Sequence, residues 1–429
     1  MTSRKMPLAL LGGEPLVTQP WSKNPVVDAE EVNAATSVIL SGVLSDVARG
    51  AVIGRMEDEY AAYFGTKYAV SFASGTGSMH GALFAVGVRP GTEVLVCAHN
   101  WISGIMSVFH AGGTPVLCDV KPGAFHIDAK EIERKITPNT RAVIVTHLWG
   151  LPADMDAILK VCKRLKLAVI EDVSHAHGGK YKGRYCGTMG DCGCFSLQGS
   201  KSIVAGEGGV MITNSRRYYQ RSQVPGHHSW RLNQEMKLAE IQPFMAAGGM
   251  HTYRMATVAA GIATAQIKKL PSLTAARQAN FDRLTAGLRG VKCIRWPKVA
   301  SRSVRGWYGS PAFFDAEKAG MSRAIFLKAC QAEGALINGE GYQDWSQTPL
   351  LQDMKLLSQL FVVRHINGVE FKASRQGAFP HYDKLRATML SFTIPPVANA
   401  KLMDQCAGAV RKVLAQAPAL RRFEKESAR

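Results

Sequence analysis

The sequence predicts an α/β protein with a large domain built on a mostly parallel sheet of about seven strands, followed by a smaller C-terminal α+β domain. Short apolar runs alternate with segments of helical periodicity through most of the chain. The connections between these runs are long enough for the crossovers that parallel strands need. Beyond about Gly290 the alternation becomes irregular, which indicates a change of architecture.

The individual elements follow from local pattern. Helical periodicity begins after Asp28 and recurs over 56–64, 78–86, 155–166 and 259–288. In the smaller domain we expect a helix over 322–333, a loop over 338–347, a strand over 389–393 and a helix over 398–415. The strands of the large sheet are predicted at 68–73, 93–98, 115–120, 141–146, 167–172, 192–197 and 209–213.

These elements divide the chain into three parts. Residues 1–27 contain prolines and a Gly-Gly pair and are predicted to form an N-terminal arm. Residues 28–289 form the predicted large domain, and residues 290–429 form the small C-terminal domain. The sequence shows no internal repeat and no low-complexity tract.

Composition narrows the class of protein. The chain has 429 residues, of which 46% are hydrophobic and 20% charged, as in ordinary globular proteins with a sizeable core. No apolar run approaches the ~18 residues that would span a bilayer, and the apolar patch near the N-terminus is short. We therefore expect a cytoplasmic protein with no membrane partner.

Charge and cysteine usage argue against a nucleic-acid partner, against disulfide bonds and against a metal site. The formal net charge is +19, but the basic residues are spread along the chain and no nucleic-acid-binding motif accompanies them. We expect a basic surface and no nucleic-acid partner. The nine cysteines are odd in number and scattered, which favours reduced core residues over disulfides. Ligand spacing for a metal is also lacking, so no metal site is expected.

The stretch 167–214 carries the strongest chemical signal. An apolar run ends on the acidic pair Glu171-Asp172, which places a carboxylate at the C-terminal end of a buried strand, where ligands of open α/β sheets bind. A second apolar run leads into the turn that contains Lys201, followed by a glycine-rich segment. Pyridoxal phosphate (PLP) chemistry requires such a pair, because a lysine bonds to the cofactor's aldehyde and a carboxylate keeps its pyridine nitrogen protonated.

These residues resemble a known family. The motifs EDVSHAHGG at 171–179, GDCGCFS at 190–196 and GEGG at 206–209 are similar to those of the DegT/StrS-type sugar aminotransferases, which are fold-type I PLP enzymes. EDVSHAHG and SLQGSK are most similar to the branch of L-glutamine:scyllo-inosose aminotransferases. The resemblance runs from Leu8 to about Ala415 and implies that Lys201 and Asp172 are the catalytic residues.

One further segment, together with Ser196 of the motif 190–196, matches the phosphate-binding elements of that family. Gly75 and Thr76 lie in a turn between a strand and a helix, where free N–H groups and the helix dipole favour a phosphate. Tight turns often use glycine without a ligand, so this signal depends on the Asp and Lys motifs beside it. The resemblance implies that the Ser196 hydroxyl also contacts the phosphate.

The remaining cofactor contacts are implied by position. Trp101 stands where the family has an aromatic residue, and its ring is expected to stack on the pyridine, although a tryptophan after a strand is often a core residue. His175 is expected to contact the cofactor's phenolic oxygen, whereas His177 is expected to be a packing residue. The family's asparagine that reaches the neighbouring subunit's phosphate is replaced here by Thr252, in the segment 250–255. We expect a homodimer with shared active sites.

The predicted function is transfer of an amino group from an amino acid, with glutamine favoured, to a keto-cyclitol or keto-sugar such as scyllo-inosose, as in antibiotic biosynthesis. One alternative is a PLP enzyme of the same fold that acts on a nucleotide-linked keto-sugar or another substrate. Another is a regulatory or binding protein without catalysis, against which Asp172, Ser196 and Lys201 argue. A sugar dehydratase would have histidine in place of Lys201. The segments 224–230 and 341–345 are expected to shape substrate choice.

Overall fold

The computed structural model describes residues 7–22, 25–245, 251–339 and 341–427. Part of the predicted arm and Met250, within the segment 250–255, lie outside these residues. The described chain contains a seven-stranded sheet, a four-stranded sheet and a two-stranded ribbon. The strands are β1 Tyr68–Phe72, β2 Glu93–Cys97, β3 Thr114–Cys118, β4 Thr140–Thr146, β5 Ala168–Asp172, β6 Lys180–Tyr181, β7 Arg184–Tyr185, β8 Cys192–Ser196, β9 Gly209–Thr213, β10 Ile294–Arg295, β11 Ser310–Phe314, β12 Ile337–Asn338 and β13 Met389–Phe392.

The large sheet has the order β1-β9-β8-β5-β4-β2-β3. Strand β9 pairs antiparallel with both β1 and β8, and the other neighbouring pairs are parallel. The predicted mostly parallel seven-stranded sheet is thus confirmed, with strand ends within one or two residues of those expected. All strands except β9 have their carboxyl ends at one edge of the sheet, where the polar residues of the predicted site follow them.

Seventeen α-helices surround these sheets within the described ranges. They are α1 Ala29–Leu40, α2 Ala51–Phe64, α3 Gly75–Ala85, α4 Ser103–His110, α5 Ala129–Lys135, α6 Met155–Leu165, α7 Arg216–Gln223, α8 Ser229–Glu235, α9 Gln242–Met245, α10 Thr257–Gly287, α11 Ala316–Ala319, α12 Arg323–Ala332, α13 Pro349–Gln352, α14 Met354–Ser358, α15 Pro380–Thr388, α16 Ala400–Leu414 and α17 Ala417–Ser427. Short 3-10 turns lie at Ala9–Leu11, Leu148–Gly150, Ala239–Ile241 and Trp345–Gln347.

Side-chain chemistry explains where two of these helices begin. Asp28 caps α1 in a reciprocal pair with Glu31, in which each side chain accepts a backbone N–H of the other end of the turn. Helix α3 begins at Gly75, earlier than the predicted start at residue 78. The reason is that the Ser74 hydroxyl accepts the N–H of Gly77 and so caps the helix before its glycines.

Two large hydrophobic cores and a small cluster of Val224, Leu232, Met236 and Ile241 stabilise the described part of the fold. The larger core lies around the seven-stranded sheet and the helices that flank it. The smaller core lies between the four-stranded sheet, α12 and α16, and Leu8 of the N-terminal segment is buried in it. Helix α10 contributes Leu270 to the larger core and Leu284 to the smaller one, so this helix joins the two. The exact domain limits given above stay a prediction.

All nine cysteines are buried and have free thiols. Burial raises the pKa of several of these thiols, among them Cys118 to about 12, so they remain protonated and unreactive at neutral pH. In the part of the chain that the structure describes, no helix has both the length and the apolar character required to cross a membrane.

Candidate active site

A cavity of about 450 Å³ lies at the carboxyl edge of the large sheet. It is called here the lysine cavity. Five of its residues end, or closely follow, parallel strands of that sheet, namely Ser74 after β1, Asn100 after β2, Thr146 in β4, Asp172 in β5 and Ser196 in β8. The full lining is Ser74, Gly75, Thr76, Asn100, Trp101, Ser103, Thr146, Leu148, Asp172, Ser174, His175, Ser196, Gln198, Ser200, Lys201, Glu207, Tyr308 and Tyr342.

The two acidic residues at the end of β5 have different roles. Alternation along the strand places only Asp172 in the lysine cavity, where its Oδ1 accepts the Ser174 N–H at 3.0 Å. Glu171 is buried on the other side and accepts a bond from His147 Nε2 at 2.8 Å. Glu171 also accepts backbone N–H groups of the 187–190 loop. Asp172 is therefore the carboxylate available to a ligand, and Glu171 supports the strand.

Lys201 lies in the turn that follows β8. Its backbone N–H bonds to the Gln198 carbonyl at 2.9 Å, which closes the turn. Burial lowers the pKa of Lys201 to about 8, against the opposing charges of Asp172 and Glu207. Its Nζ lies 4.5 Å from the centroid of the Tyr308 ring. A lysine with this lowered pKa can act as a nucleophile and base near neutral pH.

The amino end of helix α3 forms one wall of the lysine cavity. The first N–H groups of a helix have no partner within it, and here Gly75 and Thr76 occupy those positions. A Cβ atom on Gly75 would lie only 2.7 Å from the Ser196 Cβ, so glycine is required for the helix to meet β8 this closely. The hydroxyl-bearing Ser196 therefore stands against two backbone donors, an arrangement suited to a phosphate.

His175 is fixed between three aromatic residues. Its ring stacks on Tyr308 with centroids 3.7 Å apart and planes 8° from parallel. The backbone N–H of Trp149 donates to its Nδ1 at 3.3 Å, so the proton of the neutral ring is on Nε2, 3.1 Å from the Tyr342 hydroxyl. Burial and the charge of Lys201 hold the His175 pKa well below its usual value. His175 is thus a neutral hydrogen-bond donor at this site.

Trp101 forms the outer rim of the lysine cavity and is 47% exposed. Its ring lies 5.4 Å from Tyr342 and meets Trp345 edge-on at the same distance. Trp345 is held in turn by a bond from its Nε1 to the Asn100 carbonyl at 2.8 Å. The Trp101 ring is therefore partly exposed at the mouth of the cavity and can contact a ligand, unlike the ring of a core tryptophan.

Thr252, the loop 224–230 and His177, which the sequence analysis also singles out, do not line the lysine cavity. Thr252 is exposed and does not line the lysine cavity of its own chain. The neighbouring Tyr253 bonds through its backbone N–H to the Gly226 carbonyl at 3.0 Å, which ties this segment to the loop 224–230. That loop also does not line the lysine cavity, within the residues described. His177 is fully buried against Phe195, as expected for a packing residue.

Sequence reasoning missed Tyr308 as a site residue. It belongs to the small C-terminal part, far from Lys201 in sequence, and no motif marks it. Tyr342 is predicted from sequence only as part of the substrate segment 341–345, whereas in the structure its hydroxyl contacts His175. No compositional signal marks these two tyrosines either, because only three of the eleven tyrosines in the chain lie beyond residue 290.

The residues of the lysine cavity fit PLP. Lys201 matches its aldehyde, Asp172 matches its pyridine nitrogen, and the start of α3 with Ser196 matches its phosphate. The fold agrees: an aminotransferase from Psychrobacter cryohalolentis has a TM-score of 0.81 to this chain at 24% identity, covering 93% of this chain and 100% of that one. Fold and site together define the class of fold-type I PLP-dependent aminotransferases.

The family follows from the sequence comparisons. Residues 25–355 match the DegT/DnrJ/EryC1/StrS aminotransferase family, and the chain belongs to it. A Micromonospora echinospora protein assigned the name L-glutamine:3-amino-2,3-dideoxy-scyllo-inosose aminotransferase is 32% identical over 340 residues, 78% of this chain and 79% of that protein. GDP-perosamine synthase from Caulobacter vibrioides is 36% identical over 261 residues, 59% of this chain and 66% of that protein. The protein is a PLP-dependent sugar or cyclitol aminotransferase.

Proposed function

We propose that this enzyme transfers an amino group from glutamine to a keto-cyclitol of the scyllo-inosose type. The main support for the reaction type is that Asp172, Ser196 and Lys201 line one cavity together with the start of α3. The choice of a cyclitol rests on the relative from Micromonospora echinospora, because its name states that substrate class and it matches 78% of this chain. The lysine cavity has a volume of about 450 Å³ and aromatic residues at Trp101, Tyr308 and Tyr342, which suit a ring-shaped substrate.

We assign the following roles to the residues of this chain. Lys201 holds PLP, which when bound supplies an electron sink for the carbon from which a proton is removed. Asp172 holds the pyridine nitrogen in its protonated form, and His175 donates its Nε2–H to the phenolic oxygen. Gly75, Thr76 and Ser196 bind the phosphate, and the Trp101 ring covers the pyridine face. These contacts fix the orientation of the ring relative to Lys201.

Lys201 is also the proposed proton carrier. Once the amino donor has displaced it, its Nζ removes the proton from the donor's α-carbon. A pKa of about 8 leaves a useful fraction of this amine unprotonated near neutral pH, as a general base requires. The aromatic rings of Tyr308 and Tyr342 exclude water from the space around that amine. In the second half of the reaction the same nitrogen returns a proton to the carbon that was the ketone.

We further propose a homodimer in which Thr252 lies against the phosphate of the neighbouring site. Thr252 is exposed in the single chain and adjoins Tyr253, whose ring lies against Gly77 near the start of α3. Exposed apolar side chains on and after α1, such as Leu40 and Leu44, are 81% and 55% exposed and supply surface for such a contact.

The test incubates purified protein with glutamine together with one acceptor at a time, namely scyllo-inosose, another keto-cyclitol or a nucleotide-linked keto-sugar. The proposal predicts formation of an amino-cyclitol, detected by mass spectrometry, with glutamate and alanine as poorer donors than glutamine. Amination of a nucleotide-linked sugar with no turnover of any cyclitol would favour the activity named for the Caulobacter vibrioides relative. Failure of all amino acids to change the absorbance of the bound cofactor would contradict the proposed function.

A further inference from the structure

A cavity of about 580 Å³ lies where loops of the large sheet meet the four-stranded sheet. One side is formed by residues of the loops 121–127, after β3, and 151–154, after β4. The other side is formed by residues of the segment 295–300, which begins in β10. This cavity is called here the junction cavity, and it shares no lining residue with the lysine cavity. Its volume is that of a small-molecule site.

The inner wall of the junction cavity is apolar and firmly packed. Phe125, Ile127 and Leu151 line it and are buried in the larger hydrophobic core. The Phe125 ring stacks on Phe313 of β11 with centroids 5.1 Å apart. The Arg295 guanidinium lies 4.1 Å from the centroid of the same Phe313 ring, so this cation is held beside the apolar wall. A ligand with an apolar body can therefore bury it here.

The rim of the junction cavity is basic. Its charged lining residues are Lys121, Asp154, Lys182, Arg295 and Lys298. Lys121 bonds to Asp154 at 2.7 Å, and Lys182 is likewise paired with an aspartate. Arg295 and Lys298 have no carboxylate partner in the part of the chain that the structure describes. The rim thus presents two uncompensated cations beside the apolar wall, which favours an anionic ligand.

The loop after β4 joins the junction cavity to the active site. Leu151 lines the junction cavity, and Trp149, two residues earlier, stacks on Tyr342 with ring centroids 5.1 Å apart. The backbone N–H of Trp149 also donates to His175 Nδ1 at 3.3 Å. The φ of Trp149 is 58°, a left-handed conformation that a bulky residue keeps only when its surroundings fix it. The position of this loop therefore affects the orientation of His175.

We propose that the junction cavity is an effector site for a small molecule that carries an anionic group on an apolar body, such as an aromatic carboxylate or sulfonate. The apolar body lies against Phe125 and Leu151, and the anionic group lies against Arg295 and Lys298. Such a ligand contacts the loop after β4 and the segment 295–300 together, so it stabilises the turn at Trp149. His175 is then held more firmly in the orientation that we propose for contact with PLP, and the cofactor is retained more tightly.

The first test measures binding without catalysis, by dye fluorescence on the purified holoenzyme. The probe is 8-anilinonaphthalene-1-sulfonate, and the paired probe is N-phenyl-1-naphthylamine, which is the same molecule without the sulfonate. Wild-type protein is expected to bind the sulfonate at least about tenfold more tightly than the neutral probe, the scale of one charge-assisted hydrogen bond. Equal affinity for the two probes would overturn the proposal.

The second test locates the bound sulfonate probe. We expect Arg295→Glu/Lys298→Glu to weaken its binding about tenfold or more, because two attractions become repulsions. Arg289→Glu/Lys292→Glu is the matched control, with the same charge change and spacing at exposed residues outside the junction cavity, and should bind as wild type does. Ala124→Trp fills the cavity and should weaken both probes. Equal losses in the two double variants, or unchanged binding by Ala124→Trp, would contradict the assignment.

The third test measures PLP retention by the holoenzyme in equilibrium dialysis, with and without a saturating concentration of the sulfonate probe. We expect retention to strengthen about fivefold or more in wild type and to stay unchanged in Arg295→Glu/Lys298→Glu. Linkage requires PLP to strengthen probe binding by the same factor. Unchanged or weaker PLP retention in wild type would overturn the effector site. These measurements need no turnover, so failure of every amino acid to react with the cofactor would contradict the proposed function and leave this inference standing.

Discussion

The Nζ atom of Lys201 lies 4.5 Å from the centroid of the Tyr308 ring, so a residue of the small C-terminal part contacts the amine of the large sheet's turn. The same ring stacks on His175 at 3.7 Å. Tyr308 therefore contacts both His175 and Lys201, two predicted cofactor residues that come from different segments. Its cation–π contact favours the charged form of the Lys201 amine.

Replacing Tyr308 should change the titration of Lys201. Burial lowers the Lys201 pKa to about 8, and loss of the aromatic face in Tyr308→Leu removes about 0.5–1 kcal/mol of stabilisation from the ammonium form. The pKa should then fall by about 0.5 unit. The rate at which cofactor-free protein takes up PLP, followed against pH, reports this midpoint because only the unprotonated amine reacts. Tyr308→Phe keeps the ring and should titrate like wild type, whereas a Tyr308→Leu midpoint at or above the wild-type value contradicts the contact.

Asp172→Asn should leave the fold intact and lower turnover by about a hundredfold or more, the scale on which lost electrostatic stabilisation acts. The proposed reason is that the pyridine nitrogen loses the carboxylate that keeps it protonated. The loss should exceed that of His175→Ala, because a neutral donor is replaced more easily by water. Steady-state kinetics and circular dichroism check both variants. Equal turnover of wild type and Asp172→Asn would remove Asp172 from the mechanism.

Glu171, the neighbour of Asp172, should matter for stability. It is fully buried and accepts bonds from His147 and from backbone N–H groups of the 187–190 loop, so Glu171→Ala leaves several buried donors without a partner. We expect a decrease of about 3–5 kcal/mol in the free energy of unfolding, as for other broken buried pairs. Urea denaturation of the apo-protein measures it, and a variant as stable as wild type would show that the loop is held by other contacts.

The pH dependence of stability provides a second check on Glu171. Burial alone would raise its pKa, but the bonds from His147 and the backbone outweigh burial and lower it. Its folded pKa is therefore below its unfolded value of about 4.3, so its contribution is present above that pH and is lost as the pH falls through the folded pKa. Wild type should lose this stability in acid, and Glu171→Ala should lack that component of the decrease.

Much of this site could be predicted because local sequence specifies it. Asp172 and Ser196 end strands of strong apolar pattern, and Gly75 and Lys201 follow such strands. Parallel strands bring their carboxyl ends together, so these residues meet in one cavity. Tyr308 could not be predicted in the same way, since its place depends on how the small sheet packs against the large one. The same reason applies to the neighbouring cavity lined by Arg277, Tyr308 and Tyr342, whose walls come from distant segments joined only by tertiary packing.

Thr252→Val tests the shared site of the proposed homodimer. The variant keeps the shape of the side chain and removes its hydroxyl, and Thr252 is exposed, so little change in folding is expected. If the hydroxyl reaches the neighbour's phosphate, PLP should dissociate about tenfold more readily, since about 1.4 kcal/mol corresponds to that factor. Equilibrium dialysis of PLP, with ultracentrifugation to verify the dimer, gives the answer, and Thr252→Ser should bind as wild type does. Unchanged affinity in a dimeric Thr252→Val protein would place this contact elsewhere.

We propose that Lys201 carries the cofactor in the cavity bounded by Asp172, Ser196 and Tyr308. Borohydride reduction of the PLP-loaded enzyme, followed by proteolysis and peptide mass spectrometry, tests it directly. We expect a yellow protein that yields one modified peptide containing Lys201, and no fixed adduct in Lys201→Ala. A modified peptide that contains a different lysine would contradict it.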